Sequence, residues 1–163
     1  MGGMTLGDAV LAAATVTSGL IAGLFYAYAC SVMLGLRQTD ARTFVNTMQQ
    51  INVAIINGWF LVCFVGALVL IMATAALQFG QDQRPALPWI LAALILYLAV
   101  LVITGRVNVP LNNELAAAGE VDRITDLAAV RERFEGRWVR WNVMRAVASS
   151  VAFGCLTLAL TLT

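Results

Sequence analysis

The chain has 163 residues, of which 61% are hydrophobic and 12% charged, against about 45–50% and about 25% in a water-soluble domain. In water so apolar a chain exposes large greasy patches, so the bilayer is the simpler solvent. Its ten basic residues are all Arg and its net charge is +1. This leaves no electrostatic case for nucleic acid, and the absence of His excludes a His-ligated haem or a His-rich di-metal site.

Runs of about 20 apolar residues each span a bilayer as a helix. Taken in chain order, the first runs from about Ala9 to Leu34. Met1 to Val10 carry no basic charge and the apolar run is too long for a signal-peptide core, so this helix is expected to stay in the mature protein. It contains Gly19 and Gly23, a G-x-x-x-G pair that lets backbones approach closely. The pair serves packing within one bundle or, alternatively, a homo-oligomer. From Asp40 to Ile56, Phe44, Met48, Ile51 and Ile55 recur at helical steps and leave Gln49, Gln50 and Asn52 on the other face. This predicts an amphipathic cytoplasmic helix between spans one and two, capped by Thr39 or Asp40 and broken at Asn57-Gly58.

Span two runs from about Trp59 to Leu77 and span three from about Leu87 to Thr104. Pro110 is expected to stop span three just after Arg106 and Asn108, and Gly119 to mark a break. After it Leu127, Val130, Phe134, Trp138 and Trp141 recur at three- and four-residue steps and lead into span four, about Val143 to Leu162. One long final helix starting near Asp122–Thr125 is therefore predicted. The runs are continuous rather than alternating, which argues against strands. The fold class is all-α: a four-transmembrane-helix bundle forming one membrane domain over residues 1–163.

Trp59, Trp89 and Trp141 stand at span ends, where indole prefers the lipid–water interface. Nine of the ten Arg fall in Gly35–Gly58, in Gly105–Asn142 or at Arg145. The tenth is Arg84, in the loop Gln78–Pro88. The positive-inside rule puts the Arg-rich side in the cytoplasm of a cell-membrane protein, with both termini outside.

Four helix ends then meet on the Arg-rich face, and the polar residues gather there. Arg106, Asn108 and Asn112 follow span three. Trp138, Asn142 and Arg145, at i, i+4 and i+7, share one face of the last helix. Gln49 and Asn52 come from the amphipathic segment, and Tyr26 and Tyr28 from the inner half of span one. Taken singly, the Arg snorkel to headgroups, the Trp anchors an interface and the Asn cap a broken helix. Taken together, they offer donors for an anion and an indole to stack on a flat ring. Cys30, Cys63 and Cys155 lie in apolar stretches without a C-x-x-C pair and read as core residues. No span carries an acidic residue near its centre, which argues against a small proton-coupled cation transporter.

The stretches Gly23–Leu36 (GLFYAYACSVMLGL), Phe44–Phe60 (FVNTMQQINVAIINGWF), Arg106–Leu115 (RVNVPLNNEL) and Arg137–Arg145 (RWVRWNVMR) resemble the anthrone oxygenase-like family of small four-helix membrane proteins. The resemblance implies an enzyme that oxidises anthrones to anthraquinones with O2, without metal or organic cofactor; many bacterial members have no known substrate. On that reading the partner is a hydrophobic small molecule, anthrone- or phenol-like. Arg106 and Arg145 hold a developing oxyanion, while Asn108, Asn112 and Asn142 orient it. Trp138, with Tyr26, Gln49 and Asn52, binds the rings. The base is Glu114, Asp40, Tyr26 or a water relayed by Asn. The alternative is a non-catalytic membrane protein that binds a lipid or quinone or supports a partner complex.

Overall fold

A computed structural model describes residues 5–79 and 85–163, and every regular element among them is helical. Among the described residues four helices are long and apolar enough to cross a bilayer: Leu6–Arg37, Gly58–Gln78, Leu87–Ala117 and Leu127–Leu160. The chain is a multi-pass membrane protein built as an all-α bundle. Met1–Met4 and Gly80–Arg84 lie outside the described residues, and with them Arg84, on which the expected orientation depends.

The first long helix comprises α1 (Leu6–Ala27), a π-helical turn (Tyr28–Val32) and α2 (Met33–Arg37). Thr5 opens it in a reciprocal capping box with Asp8. The amphipathic segment is α3 (Ala41–Ala54), its N-terminus capped by the Asp40 side chain. The expected break at Asn57-Gly58 has a simple cause. Asn57 Nδ2 donates back to the Ala54 carbonyl, and its Oδ1 accepts from the Phe60 N–H, so one side chain closes α3 and opens α4 (Gly58–Gln78).

Pro110 does not end the third long helix. α5 (Leu87–Ile103) passes through a second π-helical turn (Thr104–Asn108) into α6 (Val109–Ala117) without a break. The Val109 N–H bonds to the Thr104 carbonyl five residues back. Pro110, which has no N–H to give, follows directly on this change of register and stands at the start of α6. A widened turn takes up the ring that would clash in a regular helix. The break falls instead at Gly119, whose φ of +87° is the left-handed conformation that suits glycine.

A 3-10 turn (Val121–Arg123) takes up residues expected to begin the last helix. α7 (Leu127–Leu160) starts a little later, where Asp126 accepts from the Ala129 N–H. It runs 34 residues, about 50 Å at 1.5 Å per residue, well beyond the roughly 30 Å of a hydrocarbon core.

α7 packs along α1 and α5, α4 packs along α1, and α4 and α5 touch more lightly. The bundle has two apolar cores. One, around Leu11, Ile71, Ile90, Tyr97 and Leu156, fills the space between the spans. The other joins Met33, Phe44, Met48, Leu111, Leu115, Phe134 and Trp138, where α3 lies across the extended ends of the other helices.

The two glycines of the G-x-x-x-G pair have different surroundings. A Cβ on Gly19 would meet the Phe153 ring at 2.9 Å, whereas one on Gly23 meets nothing within 4 Å. Gly19→Leu is therefore expected to overpack the α1–α7 contact and cost about 1–3 kcal/mol, read as a lowered melting temperature in detergent. Gly23→Leu should leave melting unchanged. Equal effects of the two substitutions would count against this division.

Candidate functional site

A cavity of about 460 Å³ lies between the two cores at the Arg-rich end, within the range of small-molecule sites. Its walls come from every long helix and from α3. α1 and its π turn give Leu24, Phe25 and Tyr28, while α4 gives Phe60. The α5–α6 helix gives Thr104, Asn108, Asn112 and Ala116, and α7 gives Trp138, Asn142 and Arg145. α3 and its end lay Gln49, Asn52, Val53, Ile55 and Ile56 across one side. Val53 and Ile56 line the cavity and are also largely exposed, so it reaches the surface at the α3–α4 corner, through an apolar rim. Trp59 on the same corner is 87% exposed, as an interface-seeking indole in a bilayer should be.

Both π turns stand at the level of the cavity. Such turns re-aim side chains and recur at functional sites. The first begins at Tyr28, on the cavity wall. The second carries Thr104 and Asn108 at its two ends, both on the cavity wall.

Arg145 is the central group. Its residue is only 5% exposed. Nη2 donates to Asn142 Oδ1 at 2.9 Å and Nη1 reaches Thr104 Oγ1 at 3.4 Å. The guanidinium lies 4.3 Å from the Phe25 ring centroid and 5.5 Å from that of Trp138, placed for cation–π attraction. Among the described residues no carboxylate pairs with it. A buried cation without a counter-ion is costly, which makes Arg145 a candidate functional group.

The surrounding amides hold the wall in place. Asn142, 1% exposed, donates to the Phe25 carbonyl at 3.2 Å. Trp138 Nε1 donates to Asn112 Oδ1 at 2.9 Å, with Tyr28 beside the indole at 5.8 Å between ring centres. Asn108 Nδ2 reaches the Trp138 carbonyl at 3.5 Å. Gln49 lines the cavity, but its Nε2 donates to the carbonyls of Leu115 and Gly119, so it ties α3 to the end of α6. Three buried atoms on lining residues have no protein partner: Arg145 Nε, Asn52 Nδ2 and Asn108 Oδ1. Each unmade buried hydrogen bond costs about 1–3 kcal/mol.

Seven of the nine expected site residues thus meet at one cavity: Asn108, Asn112, Asn142, Arg145, Gln49, Asn52 and Trp138. Two do not. Arg106 is exposed and faces away, because two residues along a helix turn the side chain by about 200° from Thr104. Tyr26 is 61% exposed, while Phe25 and Tyr28, three apart, face inward. The expected bases fare alike: Glu114 is exposed off the lining, and Asp40 is occupied in capping α3, accepting from Thr43 Oγ1 and N–H. Those hydrogen bonds, the hydroxyl's first, hold the Asp40 carboxyl below its ordinary value. Thr104, Phe25 and Phe60 were absent from the expected set. Thr104 stands one turn before Asn108 and Phe25 one turn before Tyr28, which is the helical-face signal that marks them.

The model of the anthrone oxygenase family matches residues 59–155. The chain belongs to the anthrone oxygenase family. No curated protein and no solved structure matches it. The matched region holds Thr104, Asn108, Asn112, Trp138, Asn142 and Arg145; the cavity walls from α1 and α3 lie before it.

Proposed function

We propose that this member of the anthrone oxygenase family oxidises a flat, hydrophobic aromatic carbon acid with O2 in the cavity, the protein itself supplying no redox group. The observation that carries the reading is Arg145, an unpaired cation buried against Phe25 and Trp138 in an otherwise apolar hollow. An activated methylene between two aromatic rings loses a proton to water, and the electron pair delocalises onto the ring oxygen. Arg145 is positioned to favour that oxyanion, with Asn142 and Thr104 fixing the guanidinium. The carbanion passes one electron to O2, and the resulting radical and superoxide combine to form a C–O bond. The peroxide is protonated; its O–O bond then breaks as the second C–H proton leaves, giving a carbonyl and one water. Overall a methylene and O2 become a ketone and H2O. Substrate and O2 both dissolve in lipid, and the exposed apolar rim at Val53 and Ile56 suits entry from it.

The protein, purified in detergent or reconstituted in vesicles, should accelerate quinone formation from an anthrone under air well beyond a protein-free blank. A rate equal to the blank sinks the oxygenase. Among the described residues neither carboxylate nor imidazole lines the cavity, which favours a second reading. Saturable anthraquinone binding without turnover would identify a quinone-binding membrane protein.

A further inference from the structure

We infer that the cavity holds its aromatic ligand as an oxyanion, and that it does so by raising the ligand's acidity rather than by supplying a base. With the cavity taken as the substrate site, as proposed above, the charge on its wall specifies the ionisation state of the occupant. Among the described residues the only charge on the lining is that of Arg145. Of titratable side chains, α1 and its π turn contribute Tyr28 and α7 contributes Arg145; α3, α4 and the α5–α6 helix contribute none.

A neutral phenol or enol entering this hollow would leave Arg145 without a counter-ion. Its anion would complete an ion pair in a low-dielectric setting, where opposite charges attract far more strongly than in water. The same interaction that holds the anion must lower the acid's pKa, since it favours one protonation state over the other. The O–H bond breaks, its electron pair stays on oxygen opposite the guanidinium, and the proton leaves on water. For a carbon acid such as an anthrone, the anion on oxygen and the carbanion that meets O2 are one species in two resonance forms. The missing base is thereby accounted for: the site needs none.

A suitable probe is 2-hydroxyanthraquinone, which has one ionisable hydroxyl, is already oxidised and changes colour on ionisation. Its absorbance is titrated against pH in vesicles with and without the full chain. The bound dye should ionise at least one pH unit lower than in protein-free vesicles of the same lipid, a tenfold or greater preference for the anion. The shift should vanish in Arg145→Gln and persist in Arg106→Gln, whose side chain faces away from the cavity. An unmoved or raised pKa, no dye bound, or a shift that survives Arg145→Gln overturns the inference. Should that variant fail to fold, Arg145→Lys keeps the charge and the wild-type titration decides by itself. Oxidation of anthrone by a chain that leaves the dye unshifted sinks the anion and spares the oxygenase; a lowered pKa without turnover does the reverse.

Discussion

Arg145→Gln should abolish anthrone oxidation while leaving the bundle folded. The loss expected for removing the single cationic donor from an oxyanion site is about 10²- to 10³-fold in kcat. Gln preserves much of the side-chain volume, so the cavity keeps its shape. KM should change less than kcat, because flat apolar rings are bound mainly by Phe25, Phe60 and Trp138, and the charge acts most strongly as the anion forms. The removal of an unpaired buried cation should also raise the melting temperature, since burial of a lone charge opposes folding. A more stable and inactive variant is a signature that a merely structural arginine does not give. Equal rates for wild type and Arg145→Gln would place the chemistry elsewhere. Arg106→Gln serves as the control: it changes the same residue type on the outward side of the α5–α6 helix and should leave kcat intact.

The sequence carried the spans because nothing but a bilayer helix needs about 20 continuous apolar residues. It carried α3 because Phe44, Met48 and Ile51 mark one face against Gln49 and Asn52. On the cavity wall, Trp138, Asn142 and Arg145 share a face by the same periodicity. Nearness in sequence groups Arg106 with Asn108, whereas helical phase sets them apart. Two residues apart on any helix means opposite sides, so its outward direction was legible and Thr104 was the better partner. The same test separates Tyr26 from Phe25 and Tyr28. Pro110 was not legible in this way. Whether a proline ends a helix depends on a register change beside it, and the π turn at Thr104–Asn108 has no sequence signature of its own. Nor does local pattern show that Gln49 would be drawn off the ligand by two α6-end carbonyls, since those lie 66 and 70 residues away.

Arg131→Ala should release α3 from the bundle. Arg131 holds the α2–α3 corner from α7. Nη1 donates to the Thr39 carbonyl at 2.6 Å, Nη2 to the Arg37 carbonyl at 3.0 Å and Nε to Glu135 Oε2 at 2.7 Å. The guanidinium also lies 4.5 Å from the Phe44 ring centroid. Two of these bonds satisfy carbonyls that a helix end leaves open, and both charged partners are mostly shielded from water, at 16% and 15% side-chain exposure. Breaking a fully buried ion pair costs about 3–5 kcal/mol. Discounted for partial exposure and for the Arg37–Glu135 contact that survives at 3.3 Å, the expected loss is about 2–3 kcal/mol. Trypsin reports it directly, because Arg37 and Arg42 flank the corner: cleavage after both should accelerate in Arg131→Ala. Arg131→Lys, which keeps charge but cannot span two carbonyls and a carboxylate at once, should fall between. The functional consequence follows from geometry. α3 carries Asn52 and, at its end, the apolar rim of the cavity, so a loosened α3 should weaken anthraquinone binding while Arg145 stays in place. Unchanged tryptic protection in Arg131→Ala would mean that the apolar core around Phe44 and Met48 alone holds α3 in place.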